Sequence, residues 1–554
     1  MKTYEAVLEY LESAGVRHFA GMVGSTAAPY VVGVAAGQSG RYIPVRHEQV
    51  AAAIIDAVGR LDRKPGCLLV HGASGALAAS LGIAAAARDS IPMLVLSATQ
   101  ERIAMERGYW QTQDVLRPMS GFAKWQTRVE RPDRALVAVR EALRATVSGR
   151  PGVAQVDIPI DVSTSDFDGE PVKDDTSRWF SRFRVWPDPQ AVDEVAQVVA
   201  RAGRLVILVG GGAAFSGAGE AITALAERFH APVVNTPTSR GIIPETHELA
   251  MGPSGILGYD PANQAISGAD TILAIGSRLS DLQTARATLL PANATIVQVD
   301  IEPTSIAREY PIAVEVVADA KTFAEALASH PVIRDHVVGQ EQRDWVDSVL
   351  RHGEEWRRSW LGDVDMSGMV QPQEVINELV RQLPRDAILT HGAGDHGFYG
   401  YSVPVVPPGN HLVSAALGAL GCALGYAMGA RLARPDQTVV ACVGDGEFML
   451  QIGDLETMVR ENLPAIIVVF NNFRLGSQRK RLEVYGEPFG VEHGNPDFAR
   501  LAELFGADGI RVERPGQFAD ALAAALRSGR PTVIDVIVDP QARPPRIAIS
   551  REAK

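Results

Sequence analysis

Cysteine is scarce in this chain of 554 residues, which contains only Cys67, Cys422 and Cys442. Each lies in an apolar run, and the sequence has no Cys-x-x-Cys pair, so we expect buried thiols rather than disulfides or a zinc site. Basic residues are also in the minority, since 53 Lys and Arg face 65 Asp and Glu, for a net charge of −12. This balance argues against nucleic acid as a partner, because phosphate binding needs a basic face.

Long hydrophobic runs are missing as well. The longest apolar stretches are too short or too rich in glycine to span a bilayer, so we expect no membrane partner. The first 19 residues predict an amphipathic helix and lack the apolar core of a signal peptide. We therefore expect a cytoplasmic protein.

Short β-branched runs alternate with alanine-rich helical stretches, a pattern typical of α/β proteins with parallel sheets. The pattern predicts three doubly wound parallel-sheet domains at residues 1–165, 186–335 and 365–554, the last with a C-terminal tail. The polar segment 163–189 contains three prolines and predicts a linker between the first two domains. A mostly helical connection at 340–363 leads into the third.

The strongest chemical signal lies in the third domain, where polar residues follow two predicted strands. Gly444-Asp445-Gly446 ends one strand, and an Asn-Asn pair ending in Asn472 follows the next strand along the chain. Because parallel strands bring their carboxyl ends to one sheet edge, we expect the two clusters to lie side by side. Carboxylate and amide oxygens suit Mg²⁺, and glycines let the backbone approach a diphosphate closely.

This arrangement resembles the signature of thiamine-diphosphate-dependent enzymes, and the resemblance covers nearly the whole chain. It implies that thiamine diphosphate is bound through Mg²⁺, with Asp445, Asn472 and the backbone carbonyl of Arg474 as metal ligands. It also implies that the three domains are a pyrimidine-binding, a central and a diphosphate-binding domain. A tight turn without a ligand is the alternative interpretation of the glycines alone.

A second match lies in the first domain, where Arg46-His47-Glu48-Gln49 follows a predicted strand and precedes a helix. The run resembles the one that carries the family's catalytic glutamate. The resemblance implies that Glu48 donates a proton toward a ring nitrogen of the aminopyrimidine, which favours the imino form that deprotonates thiazolium C2. The alternative is a glutamate favoured at a helix N-terminus by the helix dipole.

Further cofactor contacts follow from the same resemblance. The bulky apolar Leu420 is the candidate for holding the cofactor in its bent shape, with simple core packing as the alternative. The full set of predicted cofactor contacts is Gly394, Asp395, His396, Leu420, Gly444, Gly446, Glu447, Asn472 and Gly476.

Residues near the expected substrate differ from any one subfamily. His71 stands where acetolactate synthases carry threonine or serine, and together with Ser25 it resembles the benzoylformate decarboxylase pattern. A histidine there can shuttle protons near neutral pH, although it can equally be a hydrogen-bonded structural residue. Gln111 is a candidate catalytic residue that hydrogen-bonds the substrate, and Gln113 a candidate substrate contact.

A basic segment follows the predicted metal site. Gln478 and Arg481 stand where acetolactate synthases carry a valine and a tryptophan, and Arg479 lies between them. These three residues are candidate contacts for a small anionic substrate, either a 2-oxo acid or an acyl-CoA. A solvated cationic helix face is the alternative.

The cofactor class predicts that the enzyme breaks or forms a carbon–carbon bond next to a carbonyl. The favoured activity is that of a 2-oxo-acid decarboxylase or carboligase of the acetolactate synthase type. The alternatives are a 2-hydroxyacyl-CoA lyase that releases formyl-CoA, a sulfoacetaldehyde acetyltransferase-like enzyme and, in a different class, a non-catalytic scaffold.

Two expectations concern the central domain and the assembly. The central domain has a glycine-rich turn after a strand and partial matches to FAD-binding segments, so FAD or the ADP part of coenzyme A is a candidate ligand there. Because Glu48 and Asp445 lie in different domains, and the family joins such domains across a subunit interface, we expect a homodimer or homotetramer.

Overall fold

The computed structural model describes residues 1–37, 40–169 and 184–544. Within these residues the chain forms three six-stranded sheets flanked by helices. Each hydrogen-bonded pair of neighbouring strands in them is parallel. The predicted architecture of three parallel-sheet α/β units is therefore confirmed.

The first sheet lies in the N-terminal third of the chain. Its strands are β1 (His18–Gly21), β2 (Arg41–Pro44), β3 (Gly66–His71), β4 (Met93–Ala98), β5 (Trp125–Arg128) and β6 (Val153–Asp157). The accompanying helices are α1 (Thr3–Ser13), α2 (Ala28–Ala36), α3 (Glu48–Asp62), α4 (Gly72–Ala78), α5 (Ser80–Asp89), α6 (Arg102–Glu106), α7 (Leu116–Met119), α8 (Ala135–Val147) and α9 (Ile160–Ser163). The strand order is β2-β1-β3-β4-β6-β5.

The second sheet belongs to the central part of the chain. Its strands are β7 (Leu205–Val209), β8 (Val233–Asn235), β9 (Ala250–Pro253), β10 (Thr271–Ile275), β11 (Thr295–Asp300) and β12 (Val314–Val317). Its helices are α10 (Pro189–Ala200), α11 (Gly211–Ser216), α12 (Gly219–Phe229), α13 (Asp260–Gly268), α14 (Ala320–Ser329), α15 (Pro331–Arg334) and α16 (Gln340–Leu361). The order β9-β8-β7-β10-β11-β12 is that of a Rossmann sheet. The sequence order of the strands runs outward in both directions from the neighbouring pair β7 and β10.

The third sheet is built from the C-terminal third. Its strands are β13 (Ile388–His391), β14 (His411–Val413), β15 (Val439–Gly444), β16 (Ile466–Asn471), β17 (Asp508–Val512) and β18 (Thr532–Ile537). Its helices are α17 (Pro372–Gln382), α18 (Asp395–Gly400), α19 (Ala423–Ala433), α20 (Asp445–Gln451), α21 (Leu455–Arg460), α22 (Gly476–Leu482), α23 (Phe498–Leu504) and α24 (Gln517–Ser528).

The first and third sheets share one topology. The third sheet runs β14-β13-β15-β16-β18-β17, which is the order of the first sheet with the strands renumbered. The sequence suggests the same kind of unit twice without showing a clear repeat, and the shared strand order confirms that suggestion. Their central strands are buried on both faces, which explains the largely continuous apolar runs in β3, β15 and β16.

Helices α3 and α19 join the first and third units within one chain. They approach closely because glycine and alanine meet at the crossing. A Cβ at Gly425 would lie 2.6 Å from the Cβ of Ala53, and one at Gly429 would overlap the backbone of Ile54. This contact, together with the buried apolar residues around it, forms one core that spans both sheets.

Some predicted segments fall partly outside the described residues. Positions 170–183 of the predicted linker and positions 545–554 of the predicted tail are among them. The connection predicted as mostly helical is the single helix α16. The domain boundaries drawn from the sequence stay predictions.

Candidate active site

Two of the three predicted metal ligands directly follow neighbouring strands. β15 and β16 pair in parallel with Gly444 opposite Phe470, so Asp445 and Asn472 emerge at the same sheet edge. Asp445 is buried, and its Oδ1 accepts a hydrogen bond of 2.9 Å from the N–H of Gly446. Burial raises the pKa of Asp445 above its ordinary value. The raised pKa reflects the unfavourable free energy of a buried, unpaired carboxylate, and a bound cation would offset it.

The loop after Asn472 is tightly turned. Phe473 has a φ of 58°, a conformation that is uncommon for residues other than glycine and often occurs at functional sites. The Oδ1 of Asn472 accepts a 3.2 Å hydrogen bond from the N–H of Arg474. In the described residues no group of three or more His, Cys, Asp or Glu side chains forms a metal site.

Two residues that the motif analysis did not single out complete this edge. Asn495 donates from Nδ2 to the Oδ2 of Asp445 at 2.7 Å and to the Oδ1 of Asn471 at 3.0 Å. The Nε2 of His493 lies 3.9 Å from the same carboxylate. Asn495 begins the Asn-Pro-Asp-Phe run that resembles acetolactate synthases, which is the signal that could have pointed to it.

Gly394, Gly444 and Gly476, here called the glycine cradle, let the segments beside Asp445 and Asn472 pack closely. A Cβ at Gly476 would lie 2.9 Å from the Oδ2 of Asp395, and one at Gly444 would lie 2.8 Å from the Nδ1 of His396. Gly394, with a φ of 150°, immediately precedes α18. These glycines let the segments around Asp445 pack closely against Asp395 and His396, and the helix starts beside them favour a diphosphate, so the residues fit the predicted group.

Glu447 lies behind this glycine cradle, although the sequence predicts it as a cofactor contact. Its Oε1 accepts hydrogen bonds from the N–H groups of Gly421, Cys422 and Ala423 at 3.0, 3.2 and 3.4 Å. Its Oε2 lies 3.5 Å from the Nε2 of His396, and neither atom has a hydrogen-bond partner in the described residues. Glu447 thus holds the start of α19, while a direct cofactor contact stays a prediction.

Glu48 begins α3, and its neighbour docks on the third unit. The Nε2 of Gln49 donates to the backbone oxygen of Leu420 at 2.7 Å and to that of Gly421 at 3.2 Å. The N–H of Arg46 donates to Asp454 at 2.7 Å. Glu48 itself is half-buried, and its carboxylate makes no hydrogen bond to the described residues. One chain therefore brings the predicted acid next to the segment that carries Leu420.

A polar cluster forms at the ends of β3 and β4. His71 is buried, its Nδ1 lies 2.6 Å from the Oγ1 of Thr26, and its Nε2 lies 3.3 Å from the Oε1 of Gln111. The Oγ1 of Thr26 donates to the backbone oxygen of Ala98, and the N–H of Thr26 donates to Nδ1 of His71 at 3.4 Å. The Nε2 of Gln100 donates to Gln111 at 3.3 Å. The sequence analysis does not predict Thr26 or Gln100. The signal that could have identified them is their position after strands β1 and β4, which resembles the position of Asp445 and Asn472 after β15 and β16.

The other predicted substrate contacts are more open. Ser25 precedes Thr26 and is exposed, as are Gln113 on the adjoining loop and Gln478 and Arg481 on α22.

The cations of α22 differ in their partners. Arg479 is paired with Glu492 at 2.6 Å and with Glu483 at 3.4 Å. Lys480, which the sequence analysis did not single out, contacts Asp395 at 3.0 Å beside the glycine cradle. The ion pairs of Arg479 compete with the substrate role that the sequence predicts for it.

A cavity of about 580 Å³ lies among the three units. Its central-domain wall contains the glycine turn after β7 and the segment after β10. Arginines dominate its charge and outnumber the acids Asp89 and Asp300. They are Arg60, Arg63, Arg150, Arg278 and Arg434.

Domain models of one protein family match all three units. They are described as the thiamine pyrophosphate enzyme N-terminal TPP binding domain at residues 1–117, the central domain at 192–327 and the C-terminal TPP binding domain at 392–536. The chain belongs to the thiamine pyrophosphate enzyme family, and thiamine diphosphate is its cofactor. The resemblance inferred from Asp445, Asn472 and Glu48 is thus confirmed at the level of the family.

Within that family the chain is similar to acetolactate synthases. The acetolactate synthase isozyme 3 large subunit of Escherichia coli is 30% identical over 521 residues, which cover 90% of this chain and 88% of that protein. The acetolactate synthase large subunit of Parasynechococcus marenigrum is 30% identical, with 96% and 87% covered. A probable acetolactate synthase large subunit of Methanocaldococcus jannaschii is 28% identical, with 98% and 92% covered.

The comparisons favour the acetolactate synthase type over the two alternative enzyme activities. None of the helices in the described ranges is long and apolar enough to cross a bilayer.

Proposed function

We propose that this protein joins two 2-oxo acid molecules into one longer acid with release of carbon dioxide, as an enzyme of the acetolactate synthase type. The observation that carries the proposal is the docking of α3 on the Leu420 segment through Gln49, at 2.7 Å. Glu48 precedes Gln49 at the start of α3, and the third unit, on which α3 docks, also carries Asp445 and Asn472. The similarity to acetolactate synthases over nearly the whole chain supplies the substrate class.

The proposed metal ligands are the carboxylate of Asp445, the amide oxygen of Asn472 and the backbone oxygen of Arg474, which would hold Mg²⁺ against the diphosphate. When bound, thiamine diphosphate supplies a carbon nucleophile for the substrate carbonyl and accepts the electrons released on carbon–carbon cleavage. The glycine cradle lets backbone groups reach the diphosphate. Asn495 orients Asp445 from outside the ligand set.

Glu48 is the proposed proton donor to the pyrimidine ring. It is half-buried and makes no hydrogen bond to a described side chain, so its carboxyl group is available to a ring nitrogen. Leu420, with 41% of its surface exposed, is the proposed apolar support for the ring. The pair would fix the ring from its edge and from one face.

His71 and Gln111 are the proposed substrate-side residues. Nδ1 of the His71 ring is bound to Thr26, so its Nε2 is the nitrogen that faces Gln111 and the substrate. Ser25 and Gln113 supply further polar groups beside this cluster. Among the cations of α22, Arg481 is exposed and is the candidate for the substrate carboxylate, whereas Arg479 is already paired.

The central cavity is proposed to hold a phosphate-bearing nucleotide cofactor, either FAD or the ADP part of coenzyme A. Burial lowers the pKa of Arg278 to about 10, and Arg150 acts in the same direction. An anionic ligand would relieve this crowding of positive charge. The similarity to acetolactate synthases does not favour the acyl-CoA alternative for the reaction itself.

We also propose that the chain works as a homodimer or homotetramer. Tyr485 and Phe489 follow α22 and expose 89% and 92% of their surfaces, and Trp110 beside Gln111 exposes 79%. Large apolar side chains so exposed next to a site are typical of an interface. A second copy of the chain would shield the site from water.

The proposal is tested by product analysis. The protein is incubated with thiamine diphosphate, Mg²⁺ and, in parallel, pyruvate, longer 2-oxo acids or 2-hydroxyacyl-CoA thioesters. We expect carbon dioxide and a coupled 2-hydroxy-3-oxo acid from the 2-oxo acids. Formyl-CoA with an aldehyde or ketone, and no turnover of 2-oxo acids, would contradict the proposal in favour of the lyase alternative.

A further inference from the structure

Asp89 is the last residue of α5, and its carboxylate is buried between the first and third units. Oδ2 accepts hydrogen bonds from Nη2 of Arg60 at 2.8 Å and from the N–H of Ala415 at 3.0 Å. Oδ1 accepts from the N–H of Ala416 at 2.9 Å. A side chain of the first unit therefore holds two consecutive backbone N–H groups of the third unit.

The segment that begins at Ala415 leads directly to Leu420. Its far end is held by Glu447, which accepts hydrogen bonds from three N–H groups at the start of α19. Gln49 holds the middle through the backbone oxygen of Leu420. Two buried carboxylates from different units thus fix both ends of the segment, and Leu420 lies between them.

The contact of Asp89 with this segment is stronger than a surface ion pair. Arg60 is almost fully buried and bonds the two oxygens of Asp56 at 2.5 and 3.1 Å. The hydroxyl of Tyr426 in α19 donates to Asp56 at 3.2 Å. Charge-assisted hydrogen bonds shielded from water are about twice as strong as neutral ones. Asp56 thereby orders Arg60 and Tyr426, whereas Asp89 is the acid of the two that bonds Ala415 and Ala416.

We propose that Asp89 is a positioning residue for the carbon–carbon reaction, because it holds the Ala415–Ala416 turn and thereby sets the place of the Leu420 side chain in the active site. The inference rests on the proposed function, in which Leu420 supports the pyrimidine ring. Asp89 lines the central cavity but is given no contact with thiamine diphosphate or the 2-oxo acid, so its effect on the reaction passes through the backbone of the segment.

The test compares Asp89→Asn with Asp56→Asn. Both substitutions remove one negative charge from the same buried network around Arg60, but only Asp89 contacts the segment. Hydrogen–deuterium exchange of the peptide covering residues 414–421 is measured on the protein without cofactor. We expect exchange roughly ten- to a hundredfold faster in Asp89→Asn, the range for loss of a hydrogen bond to a charged group. We expect wild-type exchange in Asp56→Asn.

Steady-state kinetics at saturating cofactor give the second readout. We expect Asp89→Asn to lower kcat by about tenfold or more while KM for the 2-oxo acid stays within about twofold, because the substrate pocket itself is unchanged. Asp56→Asn is expected to keep kcat within about twofold. Equal exchange in both variants, or equal kcat values, would overturn the proposal.

The two readouts separate this inference from the proposed function. A wild-type protein that turns over no 2-oxo acid would contradict the proposed function. The exchange comparison tests whether Asp89 stabilises the segment, and it does so whether or not the protein turns over 2-oxo acids. If Asp89→Asn does not fold, Ala415→Pro removes one of the two N–H donors and leaves the pair of Asp89 with Arg60 in place. The same increase in exchange at 416–421 is then expected, and unchanged exchange would overturn the proposal.

Discussion

The Nε2 of Gln49 donates a 2.7 Å hydrogen bond to the backbone oxygen of Leu420, across the contact between the first and third units. The residue before Gln49 is Glu48, the predicted acid, and Leu420 is the residue predicted to lie under the cofactor. This single contact joins two predictions that the sequence makes 372 positions apart. It also shows that the units meet in the chain before any second subunit is added.

Glu48→Gln should remove most of the turnover while the protein still folds and still binds thiamine diphosphate. Glutamine keeps the size of the side chain but cannot transfer a proton to the ring nitrogen, and such proton transfer contributes roughly 10²- to 10⁴-fold to rates. Initial rates with a 2-oxo acid measure the loss. Glu9→Gln, at an exposed position of α1, is the matched control and should retain the wild-type rate. Full activity in Glu48→Gln would exclude the proposed role.

Asp445→Asn and Asn495→Ala should weaken Mg²⁺-dependent cofactor binding to different degrees. Loss of an outer-sphere partner typically costs about 10–100-fold in metal affinity, and loss of a charged ligand costs more. Titration of Mg²⁺ at fixed thiamine diphosphate, followed by tryptophan fluorescence, measures both. The exposed Asp520 provides the control Asp520→Asn. An Mg²⁺ affinity that is equal in all four proteins would show that the metal lies elsewhere.

Stability should fall below about pH 6.5 because of two buried histidines. Burial lowers the pKa of His391 and of His411 well below the ordinary value of 6.5, with nearby Arg240 acting in the same direction. Below pH 6.5 the unfolded chain binds protons that the folded chain does not. The free energy of unfolding therefore decreases as pH falls, by about 1.4 kcal/mol per pH unit for each histidine, until the lowered pKa is reached.

His391→Leu tests this pH dependence. Neither ring nitrogen of His391 has a hydrogen-bond partner in the described residues, so leucine removes a titrating group without breaking such a bond. Urea unfolding at pH 5.5, 6.0 and 7.0 should show a shallower pH dependence in His391→Leu than in wild type. Identical slopes in the two proteins would mean that His391 does not cause the effect.

Arg278→Gln should weaken the binding of a nucleotide in the central cavity. The half-buried guanidinium lies near Arg150 and Arg88 as well as Asp89 and Asp300, and we propose a phosphate group as its further partner. We expect a loss of roughly ten- to a hundredfold in affinity for FAD or coenzyme A, as for a charge-assisted hydrogen bond. Calorimetric titration with FAD, coenzyme A and ADP identifies the ligand, and Arg381→Gln on the exposed side of α17 is the control. Unaltered binding of each ligand would place the nucleotide elsewhere or exclude it.

Much of the fold follows from the sequence because the central strands are buried on both faces. Runs such as those of β15 and β16 are mostly apolar, and each is followed directly by a polar residue, Asp445 or Asn472. The edge strands β14 and β9 have only 3 and 4 residues. Runs this short show too little alternation to be distinguished from loops in the sequence. They become strands because they pair with a neighbouring strand in the folded sheet.

The site was predictable where it depends on residues that directly follow a strand. Asp445 and Asn472 could be inferred because the parallel sheet brings strand ends together. Asp89 and Ala416 are 327 positions apart, and their contact depends on how two units pack. Lys480 belongs to a basic run whose members look alike in sequence, and only the structure separates it from Arg479 by their different partners.

The central claim is that Glu48 activates a cofactor held by Asp445 and Asn472. The most direct measurement is the rate at which the C2 proton of protein-bound thiamine diphosphate exchanges with deuterium, followed by quenched-flow NMR. We predict exchange on the wild-type protein that is at least roughly 100-fold faster than on Glu48→Gln with the cofactor bound. Equal exchange rates on the two proteins would contradict the account.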